Sequence, residues 1–248
     1  MGIVEGFTEF LPISSTAHLI LTAKLLKIPQ SDFVKSFEII IQLGAVLAVL
    51  WYYRKTIFSN LEFYKKIFAA FLPTAILGFI FYKIVKNILL DEVAIIVWTV
   101  LLGGVVLIIF EFFHTEKSTD IESIEKISYW KCFLIGIFQA VAIVPGVSRA
   151  AATILGGLLL GLKRKTIVEF SFLLALPTIL AASSYDLLKS GFSFSLDQFG
   201  VLLAGFTVSF FIAILSIKFL LKFIEKNNFI LFGFYRILLG LVFILFLL

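Results

Sequence analysis

An all-α polytopic membrane protein, built as an inverted-topology repeat with six full transmembrane helices and two re-entrant helix-break-helix segments, is predicted by three features. The 248 residues are 61% hydrophobic and only 15% charged, with a mean hydropathy of +1.10. Apolar stretches of about 20 residues, the length that crosses a bilayer as a helix, recur from end to end. A polar, proline-broken string near the N terminus returns in the second half. This composition excludes a soluble globular chain, and continuous apolar runs disfavour an outer-membrane barrel, whose strands alternate over about ten residues.

In chain order, residues 1–11 form a first helical piece, Pro12 breaks it, and residues 14–24 start another. A helix over either piece is only about 15 Å long, too short to cross, so the pair is expected to be re-entrant. Full spans follow at 37–53, 67–85 and 93–113. A mixed-charge stretch at 114–130, holding His114, is expected to be a solvated cytoplasmic linker. The second half then repeats the pattern, with a break at Pro145-Gly146 and spans at 167–185, 199–221 and 229–248.

The repeat is visible as a shift of 134 positions that lays Gly2, Ile3, Glu5, Ser14, Ala17 and Ile20 on Gly136, Ile137, Gln139, Ser148, Ala151 and Ile154. Phe37 to Leu43 aligns loosely with Phe170 to Leu176, and Leu101-Leu102-Gly103 with Leu238-Leu239-Gly240, where the shift has drifted to 137. A single membrane domain over 1–248 with repeats at 1–113 and 131–248 is expected. Three spans per half turn the second copy upside down.

The formal charge of +5 does not point to nucleic acid, because the basic residues sit in short clusters between apolar runs and act as topology determinants. Arg54, Lys55, Lys65 and Lys66, then Lys163, Arg164 and Lys165, then Lys218, Lys222 and Lys226 all fall on one side of the six-span arrangement. That side is expected to face the cytoplasm of a multi-pass inner-membrane protein. The opposite connections near 83–92 and 186–197 are nearly balanced, although Lys24, Lys27 and Lys35 add positive charge there. Glu5 and Glu9 lie where a signal peptide would carry basic residues, which argues against a cleaved leader. The single cysteine, Cys132, excludes an intrachain disulfide framework and is expected to pack.

Ionisable groups at membrane depth are costly and mark function. Glu5 and Glu9, four apart, share a helix face, so two carboxylates converge and either share a proton or bind a cation. After Pro12, Ser14 or Ser15 can cap a new helix on which Ser14 and His18 share a face. Fresh helix N termini present unpaired N–H groups that suit an anion. In the second copy Ser148 starts the helix, Arg149 stands at its mouth, and Thr153 follows on the same side. Arginine is the residue of choice for bidentate phosphate recognition. Each residue also has a structural alternative: interfacial placement for the glutamates, capping or small-residue packing for Ser14, Ser15, Thr16 and Thr153, snorkelling for Arg149, and a backbone carbonyl partner for His18. Glu38, Gln42 and Glu169 are expected to serve helix packing, and the phenylalanines to face lipid or line a cleft suited to a polyprenyl tail.

At Glu5-Gly6-Phe7-Thr8-Glu9-Phe10-Leu11-Pro12-Ile13-Ser14-Ser15-Thr16-Ala17-His18 and at Pro145-Gly146-Val147-Ser148-Arg149 through Thr153, the chain resembles the undecaprenyl-diphosphate phosphatases of the BacA type. Phe37-Glu38 with Gln42-Leu43-Gly44, and Ser171 to Pro177, are also similar to family strings. The resemblance implies hydrolysis of undecaprenyl diphosphate to undecaprenyl phosphate and phosphate, which recycles the lipid carrier of cell-wall synthesis. Glu5 and Glu9 would serve metal binding and acid-base work with Mg²⁺ or Ca²⁺. Ser15 would be nucleophile or phosphate ligand, His18 its acid-base partner and Arg149 the pyrophosphate clamp. Ser14, Thr16, Ser148 and Thr153 would hold phosphate oxygens, in a site open to the extracytoplasmic side. Two departures stand out. Ala150 and Ala151 replace a usual Ser and Gly, and the chain starts almost on its first motif, consistent with either a short first half-helix or truncation. Inverted repeats with broken helices also suit a transporter or flippase for an anionic lipid or solute. The cluster of acids, hydroxyls and imidazole favours the hydrolase. Oligomeric state stays open, a homodimer included.

Overall fold

The computed structural model describes residues 1–29, 31–57, 61–85, 92–190 and 196–247. The described residues are helical almost throughout: α1 (Gly2–Thr8), α2 (Ser15–Leu25), α3 (Asp32–Tyr52), a single turn α4 (Arg54–Ile57), α5 (Leu61–Ile84), α6 (Val93–Phe113), α7 (Tyr129–Ala140), α8 (Arg149–Leu159), α9 (Arg164–Ser190), α10 (Leu196–Ile224) and α11 (Ile230–Leu247). Helices α3, α5, α6, α9 and α10 each hold a stretch of 21 to 27 residues long and apolar enough to cross a membrane. The sixth predicted span, α11, is the shortest at 18 residues, or about 27 Å. The chain is thus an all-α polytopic membrane protein. Of the expected balanced connections at 83–92 and 186–197, residues 86–91 and 191–195 lie outside the described residues.

Both broken segments form, and their breaks have local causes. Helix α1 stops at Thr8, with Glu9 as its C-cap, ahead of Pro12, whose ring lacks an N–H and crowds the residue before it. Ser14 then turns the chain with φ 69° before α2 begins at Ser15. In the second half α7 runs into a 3₁₀ turn at Val141–Ile143. Gly146 adopts φ +90°, where a Cβ would also stand 2.1 Å from the Thr99 hydroxyl. Ser148 follows with φ 74°, and α8 begins at Arg149.

The short helices are held by close backbone approach. Helix α1 lies against α10 and α7 against α5, while α3 packs on α10 and α9, and α6 on α11. A Cβ on Gly2 would stand 2.7 Å from the Gly205 carbonyl oxygen, and one on Gly136 only 2.0 Å from that of Ala70. The buried core includes Phe10 of the first break, set edge-to-face on Phe172 of α9 with ring centroids 5.3 Å apart. Phe79, Trp98, Phe112 and Phe113 point outward, as expected for helices solvated by acyl chains.

The connection at 114–130 keeps most of its charged residues exposed and is also anchored to the helix ends. Ile121 forms a parallel bridge with Leu162, Ile124 and Ile127 are buried, and Lys66 Nζ donates to the Ile124 and Glu125 carbonyls. Lys163 pairs with Glu122 and draws its carboxyl below the ordinary range. Glu111, its side chain fully enclosed, accepts from Arg164 at 2.5 Å and from the Phe229 N–H at 3.1 Å, joining the ends of α6, α9 and α11. Apolar isoleucines in a charged string explain the anchoring, since they seat the linker on the helix ends. Lys66, Lys163 and Arg164, drawn from two of the predicted basic clusters, meet on this linker, and Lys226 from the third shares a pocket wall with Arg164 and His114.

Gly136→Ala should drive α7 off α5, because the obstructing atom is a backbone oxygen that no rotamer change moves. A loss of about 1–3 kcal/mol is expected, measured as a lower Tm in detergent.

Candidate active site

The two broken segments meet on one carboxylate. Ser15 Oγ donates to Glu9 Oε2 at 2.5 Å, and Arg149 Nη2 donates to Glu9 Oε1 at 2.9 Å. Ser15 and Arg149 are the first residues of α2 and α8, so both helices aim their positive N-terminal ends at this point. Arg149 is braced by a second bond, from Nη1 to the Ser171 carbonyl at 2.9 Å, and its guanidinium lies 5.9 Å from the Phe10 ring centroid. The Arg149 Nε is buried and unpartnered. Only 12% of the Arg149 side chain and 6% of that of Glu9 is exposed, so water screens their interaction weakly.

Glu5 lies beside this pair, fully buried, and neither carboxylate oxygen has a hydrogen-bond partner. A carboxylate stripped of both water and partners is strongly disfavoured unless a cation or a proton accompanies it. Among the described residues no three His, Cys, Asp or Glu side chains gather as a metal cluster. Two carboxylates with nearby hydroxyl oxygens nevertheless form an all-oxygen donor set, the kind Mg²⁺ and Ca²⁺ take, completed by water or phosphate oxygens.

The remaining predicted residues surround this centre in less direct ways. Ser14 is buried, and its carbonyl oxygen lies 2.7 Å from His18 Nδ1. The other ring nitrogen, Nε2, lies 2.7 Å from the Tyr235 hydroxyl. His18 is therefore bonded to neither Ser15 nor Glu9, and Ser15 is paired with Glu9 instead. Ser148 Oγ accepts from the Ala151 N–H as a helix cap, whereas the Ser14 side chain makes no such bond. Thr153 Oγ1 donates to the Arg149 carbonyl at 2.8 Å, bracing the turn that carries the guanidinium. Thr16 is half-buried on the first turn of α2, and Glu38, Gln42 and Glu169 are half-buried on α3 and α9.

A family model described as "Bacitracin resistance protein BacA" matches residues 1–242. The chain belongs to the BacA family. It is 50% identical to an undecaprenyl-diphosphatase of Persephonella marina, across 100% of this chain and 97% of the relative. It is 52% identical to one of a Sulfurihydrogenibium species, over 99% and 96%, and 49% identical to one of Aquifex aeolicus, over 98% and 94%.

Two residues of this BacA-family site, both on α11, escaped sequence reasoning. Tyr235 is the partner of His18 described above. Arg236 is completely buried, and its guanidinium donates to five carbonyls: Pro12 at 3.2 Å, Gly146 at 3.0 Å, Val147 at 2.9 Å, Val100 at 3.1 Å and Thr99 at 3.0 Å. It thereby ties both breaks to α6 and α11. The signal that would have found it is plain in the sequence: a lone arginine inside the last apolar span is a functional residue by default. Thr99 of α6 adds a bond from its hydroxyl to the Pro145 carbonyl at 2.7 Å.

Arg236→Met removes the donors from five buried carbonyls while keeping apolar volume. A cost above about 3 kcal/mol is expected, seen as loss of the folded protein from detergent extracts, and Arg236→Lys should recover only part of it because one ammonium cannot span the five acceptors.

Proposed function

We propose that this protein is a membrane phosphatase that converts undecaprenyl diphosphate to undecaprenyl phosphate and inorganic phosphate. The observation that carries the proposal is Glu9 held between a serine hydroxyl and an arginine, at the joined N termini of two short helices. Family membership and the names of the relatives support hydrolysis over transport of an anionic lipid on the same frame.

Arg149 offers a planar fork of donors to the diphosphate, and the N termini of α2 and α8 add partial positive charge where negative charge builds up on the transferring phosphoryl group. Ser15 Oγ attacks the terminal phosphorus and passes its proton to Glu9 Oε2, 2.5 Å away. The bond from that phosphorus to the bridging oxygen breaks, and the lipid phosphate leaves. Water then cleaves the Ser15 phosphoester, releasing phosphate and returning the proton to the serine. Ser14, Thr16, Ser148 and Thr153, at the starts of α2 and α8, would support phosphate oxygens as the site fills. Glu5 and Glu9 would hold Mg²⁺ or Ca²⁺, which when bound supplies positive charge to the phosphate oxygens.

We also infer that residues 1–113 and 131–248 are inverted repeats joined by the linker at 114–130. The residues of positive φ support this, since Ser14 and Lys27 match Ser148 and Gly161 at the same spacing of 134 positions. So does packing, because α1 meets α10 and α7 meets α5 with the halves exchanged. Basic residues at the linker end support a cytoplasmic placement for that end, in a plasma membrane, with the site opening to the other side. A homodimer is compatible with the exposed apolar helix faces.

The test uses purified protein in detergent with a polyprenyl diphosphate and Mg²⁺. Wild type should release phosphate, and Glu9→Ala and Arg149→Ala should each lower kcat by at least about 100-fold. Equal release from all three would overturn the assignment. Chelation by EDTA should abolish release, and Mg²⁺ or Ca²⁺ should restore it. Rapid quenching should trap one phosphate on wild type, visible as a mass increase, and none on Ser15→Ala; a burst without that adduct would replace Ser15 by water as nucleophile.

A further inference from the structure

We infer that Tyr235 is a positioning residue for His18, and through it for the strained turn that carries Ser15. Both nitrogens of the His18 ring are engaged, each at 2.7 Å. The Ser14 carbonyl only accepts, so Nδ1 carries a hydrogen. In the neutral ring Nε2 then offers a lone pair, and the Tyr235 O–H donates to it. In the charged ring Nε2–H donates to the same phenolic oxygen. A hydroxyl is the kind of partner that serves both states without moving. The two ring planes are parallel within 2°, with centroids 5.5 Å apart, so the contact sets the orientation of the imidazole as well as its hydrogen bonding.

The bonding chain runs from Tyr235 to His18, then to the Ser14 carbonyl, and Ser14 is the residue of φ 69° that delivers Ser15 to Glu9. Non-glycine residues persist in that conformation only where the surroundings over-determine it, and the His18 bond to the Ser14 carbonyl is such a restraint. The next residue on α11, Arg236, fixes the Pro12 carbonyl on the other side of the same turn. Helix α11 therefore grips the first break at two points. The arrangement exists in only one half: Ala152 and Trp98 occupy the positions that match His18 and Tyr235. Tyr235 itself is 42% exposed, so a substitution there leaves the surrounding core in place.

The inference rests on the proposed hydrolase for its catalytic readout but not for its structural one. The chain holds two histidines, so in a His114→Gln background the only imidazole is that of His18. Magic-angle-spinning NMR of ¹⁵N-histidine-labelled protein in lipid should show one rigid ring with a hydrogen-bonded Nε2. Adding Tyr235→Phe, which keeps the stacked ring, should shift the Nε2 signal and lower the ring order parameter. Phosphate release should fall about tenfold in kcat, the value of one hydrogen bond, with KM and Tm little changed. An unshifted Nε2 signal with an equally ordered ring, or an unchanged kcat in an active enzyme, would overturn the inference. If the wild type releases no phosphate from any polyprenyl diphosphate, the hydrolase proposal fails and the NMR comparison still decides the role of Tyr235.

Discussion

Two helices broken inside an apolar slab leave carbonyl groups with no water to bond, and the buried guanidinium of Arg236 answers that constraint. Its donors reach Pro12 in the first break, Gly146 and Val147 in the second, and Thr99 and Val100 on α6. The desolvation of an isolated charge is offset by five carbonyl dipoles pointing at it. Because the same group bonds to both breaks, it ties the two loops that carry Ser15 and Arg149 to each other. The Glu9 bridge depends on how those loops sit, and so does whatever phosphate chemistry the site performs.

Around that anchor the work is divided between the halves. The first supplies acids and a hydroxyl, the second a guanidinium, and neither set makes a phosphate site alone. Glu9 takes one hydrogen bond from the opening residue of each second half-helix. Both helix ends and an arginine face this carboxylate, so opposite charges meet at it. In the proposed mechanism a diphosphate would compete with Glu9 for Arg149 and so leave Glu9 the freer to receive the Ser15 proton, which would couple binding to activation through a single carboxylate.

The fold was legible in the sequence because bilayer thickness fixes helix length, and hydropathy reports it directly. The breaks at Pro12 and Pro145-Gly146 were legible because proline and glycine act locally. The convergence of Glu9, Ser15 and Arg149 was legible as motif chemistry. What escaped was set by long-range geometry. The spacing of Ser14 and His18 is the same whether the ring turns to Ser15 or to Tyr235, more than two hundred residues away in sequence, and only the placement of α11 decides it. Arg236 carried a signal, as an arginine within an apolar span, but its five acceptors are backbone carbonyls, which leave no trace in residue identity. The linker's exposed charge was legible, while its anchoring was not: three isoleucines spaced three apart, Ile121, Ile124 and Ile127, fasten it to the helix ends.

On the inferred repeat, the position that matches Glu5 makes an instructive contrast. In the second half its counterpart is Gln139, whose amide Nε2 donates to Thr74 at 2.8 Å and Thr178 at 3.2 Å. On α10, the helix that packs against α1, the Ser209 hydroxyl is buried and unpaired, as are both oxygens of Glu5. A neutral amide bonded by two hydroxyls serves as a structural clamp between helices and needs no visitor. Replacing that amide by a carboxylate converts the same location into one that is unfavourable until something positive enters. Selection for stability alone would refill it with an amide or an apolar side chain. A buried carboxylate one helical turn from Glu9 therefore calls for a companion at this location, either a proton shared between the two acids or the cation of the proposed function.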